Sequence, residues 1–433
     1  MKVGVISLGC PKNLTDLEVI LGKLASIGYG ITGNIEEANI ILINTCAFIQ
    51  SAKQEAIDTI LEVAVNKRKD QKLIVAGCLP QRYSKELKKE MPEVDLWIGS
   101  GSIDKIEEFI KKGNMVKVSK QGSCLFDHKT PRVKATPPWY AYVKIADGCD
   151  NRCSYCAVPL IRGKFKSRPI DSIVKEAKGL AVQGLKELIL VAHDTTMYGK
   201  DIYGKAKLAE LLKRLSKIDG IEWIRIMYAH PAHISDELIK IMATEPKICK
   251  YLDLPIQHIC DKILNCMGRG VSGKDITQLI IKLRRSIPNL SLRTSLIVGF
   301  PGESKEDFAR LVKFVKKVKF ERLGVFEYSE EEGTGAYHMR GKVPDHEKKA
   351  RYQSLMKAQN RISKELQKKM IGKKVKVLVE KNLDRGSLGR SFMDAPEIDG
   401  SVLIKKSCIS PGEIVEAKIT SSSAYDLTGI HSP

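Results

Sequence analysis

Short apolar runs alternate with helix-period stretches along most of the chain. Residues 3–8 precede 16–27, 40–44 precede 49–65, 73–76 precede 84–90, and 94–98 follow. Strand-then-helix alternation commits a chain to a parallel sheet wrapped by helices, because parallel neighbours need a long crossover. The pattern pauses at residues 130–138 (TPRVKATPP), a linker by its three prolines. It then resumes six times between 139 and 369, with strands at 141–145, 187–192, 223–228, 251–254, 292–298 and 323–328. Helices begin near Pro169, Lys207, Ser235, Lys274 and Ser304, and a last charged helix covers 344–370. Six units are too few for a closed eight-stranded barrel, so a partial (βα)6 barrel is expected. After Met370 the period changes. KVKVLVE, SVLIKK and IVEAKIT alternate around Gly, Pro and Ser turns, which predicts a small antiparallel β-barrel. The expected class is α/β, with domains at 1–130, 137–369 and 370–433.

Charge is distributed unevenly over this frame. The 433 residues carry a net +21: +4 over 1–136, +16 over 137–369 and +1 over 370–433. An anionic partner such as nucleic acid or a ribosome fits the middle segment, whereas the last segment is too neutral to grip phosphates by charge alone. With 43% hydrophobic and 28% charged residues the chain is not wholly disordered. Apolar runs such as 38–43 fall far short of the roughly 18 residues a spanning helix needs. The start, MKVGVISLGCPKN, lacks the apolar core of a signal peptide. A cytoplasmic location and no membrane association are expected. The eleven cysteines then point to metal binding or catalysis rather than disulfides.

Cys149, Cys153 and Cys156 form C-x3-C-x2-C directly after the first strand of the middle segment. A loop at a strand's carboxyl end is where an α/β barrel places its chemistry. Three thiolates there can hold three irons of a four-iron cluster and leave the fourth open to a small molecule. Zinc is the alternative, but it wants a fourth ligand at short spacing, and neither Cys nor His occurs between Cys156 and His193. Cys10, Cys46 and Cys78 stand far apart in sequence, yet each follows a strand: VISLGC, ILINTC and LIVAGC. Carboxyl ends of parallel strands lie on one sheet edge, so the three can converge into a second site. The plainer reading is three buried apolar thiols. Cys124, Cys249, Cys260, Cys266 and Cys408 have no ligand spacing and read as structural.

The C-x3-C-x2-C loop, with Tyr155 before its last cysteine, resembles the signature of the radical S-adenosylmethionine (SAM) enzymes. Together with SLGCPKN, NTCAFI and AGCLPQ it is similar to the methylthiotransferase family over essentially the whole chain. The resemblance implies a radical-SAM middle domain and a C-terminal TRAM domain of OB-like form. It implies two 4Fe-4S clusters, one at Cys149, Cys153 and Cys156 that splits SAM, and an auxiliary one at Cys10, Cys46 and Cys78 that holds the sulfur to be transferred. The implied reaction replaces C–H by C–SCH3. An electron donor of flavodoxin or ferredoxin type is implied as well.

The strings SLGCPKNLTD, FIQSAKQEA, DTTMYGKDIYG, YLDLPIQH, MGRGVSGKDI and DAPEIDG resemble the branch that modifies the β-carbon of an aspartate in the twelfth small-subunit ribosomal protein. The protein substrate would be met free or in the small subunit, and the basic middle domain suits ribosomal RNA. The other branch modifies a tRNA adenosine. His193 and Cys260 depart from the favoured branch, where Gln and Ser are expected.

Several further residues carry two readings. Thr294 and the string Gly299 to Glu303 (GFPGE) either contact SAM or form a turn that caps the next helix. Arg162 and Arg168 either bind the SAM carboxylate or belong to a solvated basic loop. Asp194 and Thr195 are expected to line the radical cavity, and Gln257 and His258 to face substrate. Residues 391–400 (SFMDAPEIDG) are expected as a substrate-facing loop.

Overall fold

A computed structural model describes residues 1–112, 115–120 and 122–432. The first unit is a six-stranded parallel sheet ordered Gly30–Thr32, Lys2–Ser7, Ile40–Thr45, Lys72–Gly77, Leu96–Gly99 and Met115–Lys117. Ile40–Thr45 (IILINT) is buried along its whole length, as expected of a central strand covered on both faces. Helices Pro11–Ser26, Gln50–Asn66 and Cys78–Glu90 follow three adjacent strands of this sheet.

The middle unit is also six-stranded and parallel. Its strands stand in chain order: Tyr140–Lys144, Glu187–Val191, Trp223–Ile226, Ile248–Asp253, Ser291–Val298 and Arg322–Glu327. The sheet is open, the partial barrel that six units imply. Leu188 and Leu190 pack outward under the helices, whereas Ile189 and Val191 point to the opposite face, following the strand period of two. Ser304 begins helix Lys305–Val318 with a reciprocal capping box to Asp307.

The C-terminal unit is a closed five-stranded barrel ordered Lys374–Leu383, Gly386–Ser391, Val402–Lys405, Leu427–His431 and Ile414–Ser422. One of its pairings, Val402–Lys405 with Leu427–His431, is parallel. An antiparallel barrel was expected. The last strand, LTGIH, is short and follows a polar run, so alternation alone does not reveal it. Among the described residues no helix is long and apolar enough to cross a membrane.

Buried ion pairs fasten the units together. Arg132 of the Pro-rich connector pairs with Glu18 of the first unit and with Glu176 of the second at 2.6 Å. Glu187 is fully buried between Arg225 (2.6 Å) and Arg390 of the barrel (2.7 Å). Asp394 pairs with Arg322, and Asp399 with Arg293 at 2.7 Å. The 391–400 loop is therefore a dock, not the substrate-facing loop expected of it. Its partners cluster at the amino ends of the middle strands, the edge opposite the cysteines. Helix Asp345–Lys368 bridges the same two units: Gln359 reaches the Phe320 carbonyl at 2.8 Å and Gln367 the Tyr425 carbonyl at 2.6 Å. Removing one partner of a buried pair leaves the other charge uncompensated. Glu187→Gln should therefore weaken barrel docking by about 3 kcal/mol. Limited proteolysis should release the barrel from the variant first, and a wild-type digestion pattern would contradict this.

Candidate functional site

Cys10, Cys46 and Cys78 follow strands Lys2–Ser7, Ile40–Thr45 and Lys72–Gly77, which are neighbours in the sheet. Two glycines bring them close. A Cβ on Gly9 (φ +106°) would meet the Cys46 Cβ at 3.0 Å, and one on Gly77 (φ +108°) would meet the Thr45 carbonyl oxygen at 2.6 Å. The Cys78 thiol donates to Asn13 Oδ1 (3.3 Å) and accepts from Arg162 Nη2 (3.1 Å).

Cys149, Cys153 and Cys156 lie on the loop after the short strand Ala146–Asp147. Backbone bonds hold that loop: Cys149 N–H to the Gly163 carbonyl (3.1 Å), Ser154 N–H to Met267 (2.9 Å) and Ala336 N–H to Ser154 (2.7 Å). Arg269 Nη1 lies 3.4 Å from Cys153 Sγ and 3.3 Å from the Tyr155 hydroxyl, and its Nη2 donates to the Pro255 carbonyl at 2.6 Å.

All six cysteines line one cavity of about 430 Å³ between the first and middle units. The other five cysteines do not line it. The middle sheet contributes Tyr228, Gln257, Ser295 and Ile297 from its carboxyl edge, and Phe48, Ile49 and Phe326 add apolar walls. Burial pushes the Cys46 and Cys156 thiols up to about 12 and Cys149 up to about 11. Burial likewise raises Cys78, against the nearby Arg162. Such thiols give up their protons to a metal and not to neutral water, so metal binding and deprotonation are coupled. Three free thiols on each side fit two sites that take three irons apiece and leave one open.

The other expected residues divide. Tyr155, Gln257 and His193 line the cavity. Burial lowers His193 to about 4, and its Nδ1 lies 3.3 Å from Asp147, so it is neutral and packed there. Thr294 does not line the cavity: it faces the helix layer and donates to the Leu254 carbonyl at 2.8 Å. Its neighbours Ser295 and Ile297 are the inward residues, a one-residue error of face. Gly299 and Glu303 form a closed turn, with the Glu303 carboxylate accepting from the Gly299 and Phe300 amides and pairing with Arg351 at 3.1 Å. His258 is buried on the same carboxylate.

Arg168 is neither solvated nor on the wall of the cysteine cavity. It pairs with Glu176 at 2.6 Å and donates to the Lys144 carbonyl at 3.0 Å. Arg162 is buried on Asp16 (2.6 Å) and Asp147 (3.3 Å), so its guanidinium is not free for a ligand carboxylate. Asp194 is turned to Asn151 (2.8 Å) and His233 (2.7 Å), and Thr195 to the Met227 carbonyl (2.9 Å). Arg269, like Lys12 and Tyr228, is a cavity residue that sequence reasoning missed. Its signal was an arginine between two glycines, both at positive φ.

Three family descriptions match the chain: Uncharacterized protein family UPF0004 over residues 2–99, the Radical SAM superfamily over 143–315 and the TRAM domain over 371–431. Among solved structures, the radical S-adenosylmethionine methyltransferase TsrM from Kitasatospora setae aligns with a TM-score of 0.56 at 14% identity, covering 78% of this chain and 77% of that one. The cobalamin-dependent radical enzyme OxsB aligns at 0.51 and 11%, covering 84% and 56%. These two likenesses concern the fold. The matched families and the cysteine placement fit a radical SAM enzyme, and the superfamily implies a [4Fe-4S] cluster and SAM.

Two curated proteins called ribosomal protein uS12 methylthiotransferase RimO, from Geotalea uraniireducens and Clostridium botulinum, are each 48% identical to it. Each alignment covers 99% of this chain and 98% of the relative. The chain belongs to the RimO family.

Proposed function

We propose that this chain replaces a C–H bond at the β-carbon of an aspartate in ribosomal protein uS12 by C–SCH3. The observation that carries the reading is the single cavity walled by both cysteine triplets. Bound there, a [4Fe-4S] cluster with SAM on Cys149, Cys153 and Cys156 supplies hydrogen-abstracting radical chemistry, and a second cluster on Cys10, Cys46 and Cys78 supplies sulfur. Every other task falls to the protein. Arg269 places a positive charge beside Cys153 and fixes the ring of Tyr155. Gln257 and Ser295 offer hydrogen bonds to the polar groups of SAM from the carboxyl edge of the sheet. Phe48, Ile49 and Phe326 narrow the entrance and exclude water, which protects a radical from quenching. The substrate aspartate enters between the triplets, within reach of both. A one-electron donor of flavodoxin or ferredoxin type reduces the enzyme.

Cys46→Ala separates the two sites. The reduced variant should cleave SAM within about threefold of the wild-type rate and form no methylthio product. Liquid chromatography of 5′-deoxyadenosine with mass spectrometry of the substrate reads both. Methylthio product from purified Cys46→Ala would refute the division of roles.

A further inference from the structure

We infer that Lys12 is the residue that recognises the side-chain carboxylate of the substrate aspartate. The inference rests on the aspartate reading above and names the group that would enforce it.

The described cavity wall carries three cations: Lys12, Arg162 and Arg269. Arg162 is spent on Asp16, Asp147, Asn13 and Cys78. Arg269 is spent on Cys153, Tyr155 and the Pro255 carbonyl. Of the cavity carboxylates, Glu331 is taken by Lys53 (2.9 Å) and Arg82 (2.5 Å), and Glu327 is on the exposed end of its strand. Lys12 is 7% exposed. Its carbonyl accepts from the Thr15 hydroxyl, but its ammonium makes no ion pair or hydrogen bond among the described residues, and Asp253 and Asp147 act on it only through space. Its ammonium sits 3.2 Å above the centre of the Tyr228 ring.

A buried ammonium without an anion is costly, and an aromatic face offsets only part of the cost. Tyr228 itself is held at φ +61°, in the left-handed region that a bulky residue rarely adopts. Strain of this kind persists where surrounding structure enforces it, often at functional sites. Here the Asp253 carboxylate accepts from the Tyr228 amide at 3.0 Å, and the Tyr228 carbonyl accepts from Thr195 N–H at 3.1 Å. A strained tyrosine thus presents its ring to a lysine that no carboxylate touches, with Asp253 and Asp147 acting on it only at longer range, inside the cavity that must admit an aspartate.

Position supports the same assignment. Lys12 is two residues after Cys10, in the first turn of helix Pro11–Ser26, on the wall from which sulfur would arrive. The carboxylate carbon of aspartate is bonded directly to the β-carbon. A cation that holds the carboxylate therefore holds the reacting carbon one bond away. An asparagine in its place would leave the ammonium unpaired, and a site built around a buried polar group discriminates strongly against a ligand that leaves it so.

The test uses anaerobically reconstituted holoenzyme with SAM and two peptides of the uS12 segment, one with the modified aspartate and one with asparagine there. Fluorescence anisotropy reads binding, and iron is counted on each protein. Wild type should bind the aspartate peptide about 10- to 100-fold more tightly. In Lys12→Met and Lys12→Gln the preference should fall to within about twofold. Lys12→Arg should keep most of it. Equal binding of both peptides by wild type, or an undiminished preference in the neutral variants, overturns the assignment. A neutral variant that has lost half its iron while still preferring aspartate also overturns it, by giving the ammonium to the cluster. Failure of the aspartate reading looks different: wild type then leaves the whole uS12 protein unmodified, whatever its peptide preference.

Discussion

Cys153→Ala should abolish reductive SAM cleavage. The alanine removes one of three thiols on the C-x3-C-x2-C loop, and the structure offers no substitute: among the described residues, the cavity thiols other than Cys149 and Cys156 belong to the opposite wall. Cys266, in the neighbouring segment whose carbonyl Ser154 holds at 2.7 Å, does not line the cavity. Without a third thiolate a second iron lacks a protein ligand, so a four-iron cluster is no longer held with one open iron at which SAM is activated. Formation of 5′-deoxyadenosine should fall at least about a thousandfold, and iron from about eight to about four per chain. Cys46→Ala should lose the same iron yet keep cleavage. Persistent 5′-deoxyadenosine formation by Cys153→Ala would place the radical chemistry elsewhere.

The second large effect is on stability. Arg162 is 2% exposed and stands between Asp16 of the first unit and Asp147 of the second, with Lys144 completing the cluster. Although burial alone would raise the Asp147 carboxyl, Lys144 and Arg162 hold it well below its ordinary range. Arg162→Met keeps much of the volume and removes the charge. Two buried carboxylates are then left with Lys144 as their one formal positive charge, beside the neutral His193, and breaking such a network costs about 3–5 kcal/mol. Because Arg162 also touches Cys78 and Asn13, the loss falls on the seam between the triplets. The thermal midpoint of the holoenzyme should drop by several degrees, with iron lost earlier in the transition than in wild type. A variant as stable as wild type would mean the ion cluster is neutral relative to an apolar replacement.

The six cysteines were legible because their chemistry is local: one triplet by spacing, the other by three strands that are each followed within three residues by Cys. Parallel topology supplied the rest, since neighbouring strands Lys2–Ser7, Ile40–Thr45 and Lys72–Gly77 end on one edge. What stayed hidden is of two kinds. Thr294 was chosen over Ser295, and in a strand a one-residue shift changes the face. The arginines needed partners to be understood. Arg162 meets Asp16, Arg132 meets Glu18, and Arg390 meets Glu187, all separated by more than a hundred residues. No periodicity announces such a pairing. The same blindness made the DAPEIDG loop look like a recognition loop, when its two outer aspartates dock the barrel onto Arg322 and Arg293. Short strands at sheet edges, such as Gly30–Thr32, lie below the length at which alternation can be read.

The measurement that bears most directly on the whole account is product analysis. Reconstituted enzyme with reductant, SAM and sulfide is offered uS12 protein in one tube and unmodified tRNA in another, and mass spectrometry searches each for a methylthio increment. The account predicts the increment on an aspartate of uS12 and none on the tRNA. An increment on a tRNA adenosine would contradict it and would make the basic middle unit the RNA-holding surface.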